Sequence, residues 1–266
     1  MTLSITETFA RRRQEKKKAL MPFLTSGYPD EKTFLKLMTA ISEDGADLIE
    51  VGIPFSDPLA DGSTIQRSSQ KALSRGVNID MTFDFLSRLD PFKPPVIIMS
   101  YLNPIYYYGF RNFVKKAHAA GVRGLIIPDV IPEEGRRFES TCQEYGIDLI
   151  YLLAPTSDNN RTRLILNRSR GFVYLVSVAG VTGARNGLPK SLLSWISDVK
   201  QKCKLPVCVG FGISNIEQAR TVAGAADGVI IGSALIDRIA SVSSQKMILM
   251  KTKEFINNLR KGLDNE

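Results

Sequence analysis

Residues 48–62 read LIEVGIPFSDPLADG, an apolar run that stops at an acidic loop broken by two prolines. Apart from Glu50, the run is continuously apolar rather than alternating. This pattern is typical of a strand in a parallel sheet that is covered on both faces. Proline and glycine favour a turn directly after it. The stretch therefore predicts a buried parallel strand that carries one ionisable side chain toward a loop.

Seven further runs share this apolar character, and helical periodicity lies between several of them. The eight runs are ALMPFL (19–24), DLIEVG (47–52), VIIMSY (96–101), GLIIPD (124–129), DLIYLL (148–153), FVYLVS (172–177), PVCVGF (206–211) and GVIIGS (228–233). Repeated strand and helix units with right-handed crossovers favour an α/β fold, a closed (β/α)8 TIM barrel. No GxGxxG motif follows the first strand, which disfavours an open dinucleotide-binding sheet.

Glycines mark the ends of several predicted helices, and two additional helices are predicted near the ends of the chain. Gly45, Gly121, Gly146, Gly171 and Gly224 each precede a strand, where a left-handed glycine can close a helix. Additional helices are expected near the N-terminus, over residues 2–14, and near the C-terminus, over residues 244–261. The length of 266 residues without a linker predicts one barrel domain, 1–266.

Composition limits the classes of partner and location. The net charge is +8, with local basic clusters at residues 11–13 and 16–18. These clusters fit either a nucleic-acid patch or a solvated helix end, and the absence of a nucleic-acid module favours the second. No signal peptide or membrane-spanning apolar run is present. Cys142, Cys203 and Cys208 are scattered, so we expect neither a disulfide nor a zinc site, and a cytoplasmic location.

Glu50 is the first candidate for catalysis, because function in such barrels lies at the C-terminal ends of the strands. It shares a strand face with Leu48, so both side chains point to the same side of the sheet. Burial would raise the pKa of a carboxyl group there, which suits a proton carrier near neutral pH. A structural ion pair with a buried arginine is the alternative.

Asp57 and Asp61 add two carboxylates in the loop after Glu50. Either could instead cap a helix or form a turn. A magnesium site is conceivable, but no further ligand-spaced residues accompany the pair, so no metal is expected.

Three glycine-bearing segments follow the last strands of the predicted barrel: GVTGARNG (180–187), GFGIS (210–214) and GSA (232–234). Exposed backbone amides and a helix N-terminus bind phosphate, and barrels often place this site after strands seven and eight. His118, the only histidine, is predicted near the end of a helix and away from this face. Trp195 and the tyrosines at 106–108 are interpreted as packing residues.

Several of these segments together resemble one family. LIEVGIPFSDPLADG, YLNPIYYYG, IIPDVIPEE, YLVSVAGVTGAR, PVCVGFGIS and ADGVIIGSAL, in this order and spacing, resemble the α subunit of tryptophan synthase. The likeness extends from PFLTSGYP (22–29) through the last strand. It implies a (β/α)8 barrel that cleaves indole-3-glycerol phosphate to indole and glyceraldehyde 3-phosphate without a cofactor of its own.

The resemblance also assigns roles to positions that match the family motifs. It implies that Glu50 is the general acid and base and that Asp61 stabilises the indole N1 proton. Residues that would line or support the indole pocket are Phe23, Tyr101, Asp129 and Tyr174. Those that would close around the substrate and hold its phosphate are Thr182, Gly183, Gly212, Gly232 and Ser233.

The family further implies a pyridoxal-phosphate β subunit as partner, an α2β2 complex, and transfer of indole to that subunit. The loops around Asp57 and after Gly183 would communicate with it. Ser63 departs from the proline that often follows ADG in the family. This difference leaves open a subunit that serves mainly to activate its partner, and another phosphate-binding barrel, such as an isomerase or epimerase, is the remaining alternative.

Overall fold

Nine parallel strands form one sheet in the computed structural model, which describes residues 3–89, 94–176, 189–210, 212–213 and 215–264. Within these residues the strands are β1 Ala19–Thr25, β2 Ile49–Gly52, β3 Val96–Met99, β4 Val122–Ile126, β5 Asp148–Ile150, β6 Leu152–Leu153, β7 Val173–Val176, β8 Val207–Gly210 and β9 Gly228–Ile231. Their order in the sheet is β5-β4-β3-β2-β1-β9-β8-β7-β6.

The sheet closes into a barrel at Tyr151. β5 and β6 stand at opposite ends of the strand order, yet only this residue separates them along the chain. The amide of Tyr174 donates to the carbonyl oxygen of Tyr151 at 3.3 Å, next to the β6–β7 pairing. The (β/α)8 prediction is therefore confirmed, with the fifth predicted strand divided into two short pieces.

Helices surround the barrel and cover its apolar strands. In the described part of the chain they are α1 Ile5–Gln14, α2 Glu31–Glu43, α3 Ser63–Leu73, α4 Ile79–Ser87, α5 Leu102–Tyr108, α6 Phe110–Ala119, α7 Arg136–Glu144, α8 Asn159–Arg168, α9 Lys190–Lys202, α10 Ile216–Ala225, α11 Ser233–Ala240 and α12 Gln245–Asp264. A 3-10 turn spans Pro132–Glu134. Of the helices in these ranges, none is both long and apolar enough to cross a membrane.

The two additional helices are present, and α1 covers the N-terminal end of the barrel. Ser4 and Glu7 form a capping box: the Ser4 hydroxyl accepts from the Glu7 amide at 3.1 Å, and the Glu7 carboxylate accepts from the Ser4 amide at 2.7 Å. This cap starts α1 at Ile5, later than expected from the sequence. Phe9 of α1 packs against Phe172 with ring centroids 5.9 Å apart.

The predicted left-handed glycines are present at four of five positions, and at three of them, Gly45, Gly121 and Gly146, the glycine follows directly on the helix cap; α8 already ends at the extended residue Ser169, before Gly171. Gly45, Gly121, Gly146 and Gly171 have φ values between +66° and +108°. The prediction is wrong for Gly224, which lies inside α10. Here the extended residue Ala226 ends the helix, so no left-handed turn is needed.

Candidate active site

Glu50 lies on β2 in the barrel wall, between Phe23 of β1 and Ile97 of β3 in the strand register. Its side chain is buried, with 1% of the residue exposed, and its Oε2 atom has no hydrogen-bond partner among the described residues. Burial, reinforced by the nearby charge of Asp61, raises the pKa of Glu50 to about 8. Because no ion pair neutralises it in the described structure, Glu50 is a protonated carboxylic acid near neutral pH.

Asp61 lies in the loop between β2 and α3 and is partly buried. Burial raises the pKa of Asp61, and a hydrogen bond from Tyr101 opposes that rise. The Tyr101 hydroxyl accepts from the Ala60 amide at 2.9 Å, which leaves its proton for the Asp61 carboxylate. Gln66 anchors the same loop, because its Nε2 donates to the Asp61 carbonyl oxygen at 2.8 Å. Tyr101 therefore holds the second carboxyl group, while Gln66 holds the backbone of the loop that carries it.

Asp57, in contrast, is an exposed turn residue that accepts a hydrogen bond from the Ser56 hydroxyl. Among the described residues, no three carboxylate, histidine or cysteine side chains are grouped closely enough to hold a metal ion.

Tyr101 and Asp129 meet at the start of α5. Tyr101 is buried and precedes the helix, and its ring centroid lies 5.5 Å from that of Phe55. Asp129 is exposed, and its Oδ1 accepts from the amide of Leu102 at 2.9 Å. It thus caps α5 from the loop after β4. Asp129 supports the position of Tyr101 rather than forming an apolar wall itself.

Phe23 and Tyr174 are two further buried aromatic residues at the mouth. A methyl group at Gly52 would lie 2.5 Å from the ring of Phe23, and one at Gly210 would collide with the Tyr174 hydroxyl. Burial, together with the charge of Glu50, raises the pKa of Tyr174. Sequence reasoning gave Gly52 no role, although a glycine at the end of a strand can signal such a close approach.

Of the three segments predicted to form the phosphate cradle, the structure describes the segment after β9 and part of the segment after β8. Gly232 begins α11 without a side-chain cap, and its carbonyl accepts from Leu235 and Ile236. The amides of Ser233 and Ala234 therefore lack acceptors among the described residues, as expected for a helix N-terminus. Gly212 has a left-handed φ of +76°. The other two predicted phosphate-side residues, Thr182 and Gly183, lie outside the described residues.

Two contacts connect the phosphate side to the acid–base side. A methyl group at Gly232 would lie 3.8 Å from Cβ of Phe23, so this aromatic residue lies beside the start of α11. On the outer side, the Thr64 hydroxyl of α3 donates to Asp237 of α11 at 2.9 Å. Neither Thr64 nor Asp237 carries a sequence signal that would have paired them.

The residues that the sequence analysis interpreted as packing residues or placed away from the mouth agree with the structure in part. His118 lies in the last turn of α6, 6.3 Å from the Tyr145 ring centroid, as predicted. Trp195 packs partly buried against the core. The interpretation is wrong for Tyr106 and Tyr107, which are 67% and 95% exposed, because they fall on the outer face of α5.

The mouth of this barrel holds a protonated buried carboxyl group, a second carboxyl group bonded to a tyrosine, aromatic walls and a helix N-terminus suited to phosphate. These features define an acid–base (β/α)8 barrel. The family described as tryptophan synthase alpha chain matches residues 9–264. The chain therefore belongs to the tryptophan synthase alpha chain family.

Individual relatives support this membership over nearly the whole length. The chain is 45% identical to the tryptophan synthase alpha chain of Dehalococcoides mccartyi over 251 residues, which cover 94% of this chain and 97% of that one. It is 41% identical to the alpha chain of Geobacter sulfurreducens, with 98% and 99% covered. A solved alpha subunit from Legionella pneumophila superposes with a TM-score of 0.91 at 35% identity, covering 98% of each chain.

Proposed function

We propose that Glu50 and Asp61 are the two proton carriers with which this chain cleaves indole-3-glycerol phosphate to indole and glyceraldehyde 3-phosphate. The activity follows from membership of the family. The observation that carries the assignment of roles is the burial of Glu50 near Asp61, with the Glu50 Oε2 atom lacking a hydrogen-bond partner among the described residues. A group that is protonated near neutral pH, and can ionise without breaking an ion pair, can both give and take a proton.

In the first step, the Glu50 carboxyl group donates its proton to C3 of the indole ring. The ring becomes a cation whose positive charge is centred on N1, and the Asp61 carboxylate stabilises it by accepting a hydrogen bond from N1–H; any proton that passes to Asp61 returns to N1 before the carbon–carbon bond breaks. Burial raises the pKa of Asp61, and the hydrogen bond from Tyr101 opposes that rise, which helps Asp61 to act as the ionised partner of N1–H.

In the second step, the Glu50 carboxylate removes the proton of the C3′ hydroxyl. The bond between indole C3 and C3′ breaks, its electron pair returns to the ring, and the C3′ carbon becomes the aldehyde of glyceraldehyde 3-phosphate. Glu50 ends protonated, ready for another cycle. Phe23 and Tyr174 would flank the indole, while the free amides at the start of α11 would hold the phosphate.

The assignment is tested by indole release from purified chain carrying Glu50→Gln or Asp61→Asn. We expect each substitution to lower turnover at least ~100-fold, the effect of removing a principal acid–base group. Glu254→Gln on α12 is the matched control, since Glu254 is exposed and distant from the mouth. Full activity in either mouth variant would remove that residue from the mechanism, and no turnover in the unmodified chain, alone or with its partner, would favour the activator alternative.

Family membership implies a β partner, and we infer that it carries pyridoxal phosphate, that the complex is α2β2, and that indole passes within it. Exposed apolar side chains after three neighbouring strands support a docking face at the mouth: Leu59 on the loop after β2 at 86%, Tyr107 on α5 after β3 at 95%, and Ile131 on the loop after β4 at 38% exposure. Sedimentation of the mixed subunits tests this, with Tyr107→Ser expected to weaken the complex and Met250→Ser, on α12, expected to leave it intact.

We also infer that residues 1–266 fold as one domain. The last helix, α12, packs against α2 near the start of the chain as well as against α10 near its end. The three free cysteines are compatible with a reducing cytoplasm. Limited proteolysis, which should release no stable fragment, and localisation of a tagged chain test these two points.

A further inference from the structure

A small basic pocket lies at the N-terminal end of the barrel, opposite the catalytic mouth. Its volume is about 160 Å³, and it is bounded by α1, the turn into β1 and the starts of β8 and β9. Five cationic side chains, Arg12, Arg13 and those at 16–18, line it together with a single carboxylate, Asp227. The proposed reaction uses none of these residues.

The cations of the pocket are only partly neutralised. Arg12 and Lys17 have carboxylate partners, and Lys18 donates to a backbone carbonyl oxygen. Arg13 and Lys16 are exposed and have no carboxylate partner within the described residues. Two positive charges therefore face this pocket without compensation.

Asp227, the one carboxylate of the lining, is already engaged outside the cluster. Its Oδ1 lies 2.9 Å from Nζ of Lys200, and its Oδ2 accepts from the amide of Val207 at 3.0 Å. Both carboxylate oxygens thus already have partners outside the cationic cluster. The pocket keeps a positive potential suited to an anion.

The backbone at Lys16 provides an independent observation. Lys16 has a φ of +55°, the left-handed conformation that side chains disfavour. It closes α1 with a bond from its amide to the Arg13 carbonyl at 3.1 Å, while the Lys17 amide bonds to the Arg12 carbonyl at 2.8 Å. The corresponding closures after α2, α6 and α7 use glycine. A lysine therefore occupies a position that glycine would fill with less strain, and strain of this kind often marks a functional residue.

We propose that this pocket binds a small phosphate-bearing anion, with Arg13 and Lys16 as its principal cationic contacts. The volume fits one or two phosphate groups and is well below the roughly 300–1,000 Å³ of pockets for larger ligands. Phe9, the aromatic residue of the lining, is buried with 5% exposed, so it offers no face on which a nucleobase could stack. The lining therefore favours a compact anion over nucleic acid.

The test is calorimetric titration of the full chain with inorganic phosphate, pyrophosphate and ADP in sulfate-free buffer. The double variant Arg13→Gln/Lys16→Gly should weaken pyrophosphate binding at least tenfold while keeping the fold, because glycine adopts the same φ more easily. The control Lys115→Gln/Arg163→Gln removes two other exposed cations and should change the dissociation constant less than threefold. Comparison of pyrophosphate with ADP distinguishes an inorganic anion from a nucleotide.

Amide NMR shifts separate this pocket from the phosphate cradle at the mouth. Pyrophosphate should perturb the amides of residues 13–18 in the unmodified chain and leave them unchanged in the double variant. Perturbation confined to residues 232–235, equal weakening by the two double variants, or no binding of any of the three anions would overturn the proposal. Binding of a single-stranded 20-mer DNA, with no binding of pyrophosphate, would overturn it in favour of a nucleic-acid surface.

Discussion

Replacing Glu50 by glutamine should lower turnover and, at the same time, raise the free energy of unfolding, because burial of the ionisable carboxyl group destabilises the fold. The buried group has its pKa raised from the ordinary 4.5 to about 8. A carboxyl group with a raised folded-state pKa destabilises the fold as pH rises from its unfolded pKa to its folded one, because the unfolded chain ionises first. The relevant window is therefore pH 4.5 to 8.

The magnitude follows from linkage, at about 1.36 kcal/mol for each pH unit inside that window. The cost of Glu50 is under ~1 kcal/mol at pH 5, about 3 kcal/mol at pH 7 and about 5 kcal/mol at pH 9. Glutamine has nearly the same shape and does not titrate. The difference in unfolding free energy between Glu50→Gln and the unmodified chain should therefore grow by about 4 kcal/mol from pH 5 to pH 9.

Urea unfolding at pH 5, 7 and 9 measures this difference, and indole release measures the loss of turnover in the same preparations. Effects of titrating groups that do not interact with Glu50 cancel between the two proteins, and Glu254→Gln should follow the unmodified chain at every pH. In the unmodified chain, kcat/KM should fall above about pH 8, where Glu50 loses the proton that it must donate. A stability difference that does not change with pH would refute the buried, protonated Glu50 on which the mechanism depends.

Three further substitutions test the supports of the site. Tyr101→Phe removes the hydrogen bond that lowers the pKa of Asp61, so the acidic limb of the pH–rate profile should move to higher pH, and an unmoved limb would contradict that bond. Ser63→Pro, at the first position of α3, should raise the unfolding free energy by about 0.4–1 kcal/mol in urea titrations, since proline fits there; destabilisation would show that the serine amide is needed. Gly52→Ala forces a methyl group against the phenylalanine ring of β1 and should cost about 1–3 kcal/mol and raise KM. Gly62→Ala, with no atom within 4 Å, is its control, and equal effects of the two would exclude the clash.

The barrel could be predicted from the sequence because parallel strands buried on both faces give continuous apolar runs. β2 shows the rule, since all four of its residues are buried, including the carboxyl-bearing Glu50. The interruption at Tyr151 could not be predicted, because Tyr151 is as apolar in pattern as its neighbours. Only closure of the barrel shows that this residue stands between two pairings, one to β4 and one to β7.

Side-chain direction limited the prediction of the site. Glu50 was accessible to sequence reasoning because strand alternation fixes the face of the sheet on which it lies. Asp129 was assigned to line or support the pocket by its match to a family motif, and the contact that its carboxylate makes, a cap of α5 through the Leu102 amide, was not foreseen. Tyr107 was assigned to packing by its chemistry, and it projects from an outer helix face. Loop and helix residues of this kind depend on contacts between elements that no local pattern encodes.

The two carboxyl groups of the mouth remain chemically different because their supports differ. Glu50 is on a strand that cannot move without breaking pairings to β1 and β3, and no described donor reaches its Oε2, so burial is the main cause of its high pKa. Asp61 is on a loop, where Tyr101 supplies the proton that favours ionisation. Each charge also disfavours the other, which promotes a state in which only one of the two groups is ionised. The proposed reaction requires that state, because one group must donate a proton to the ring while the other stabilises the positive charge. Two carboxyl groups in identical surroundings would not determine which of them carries the proton.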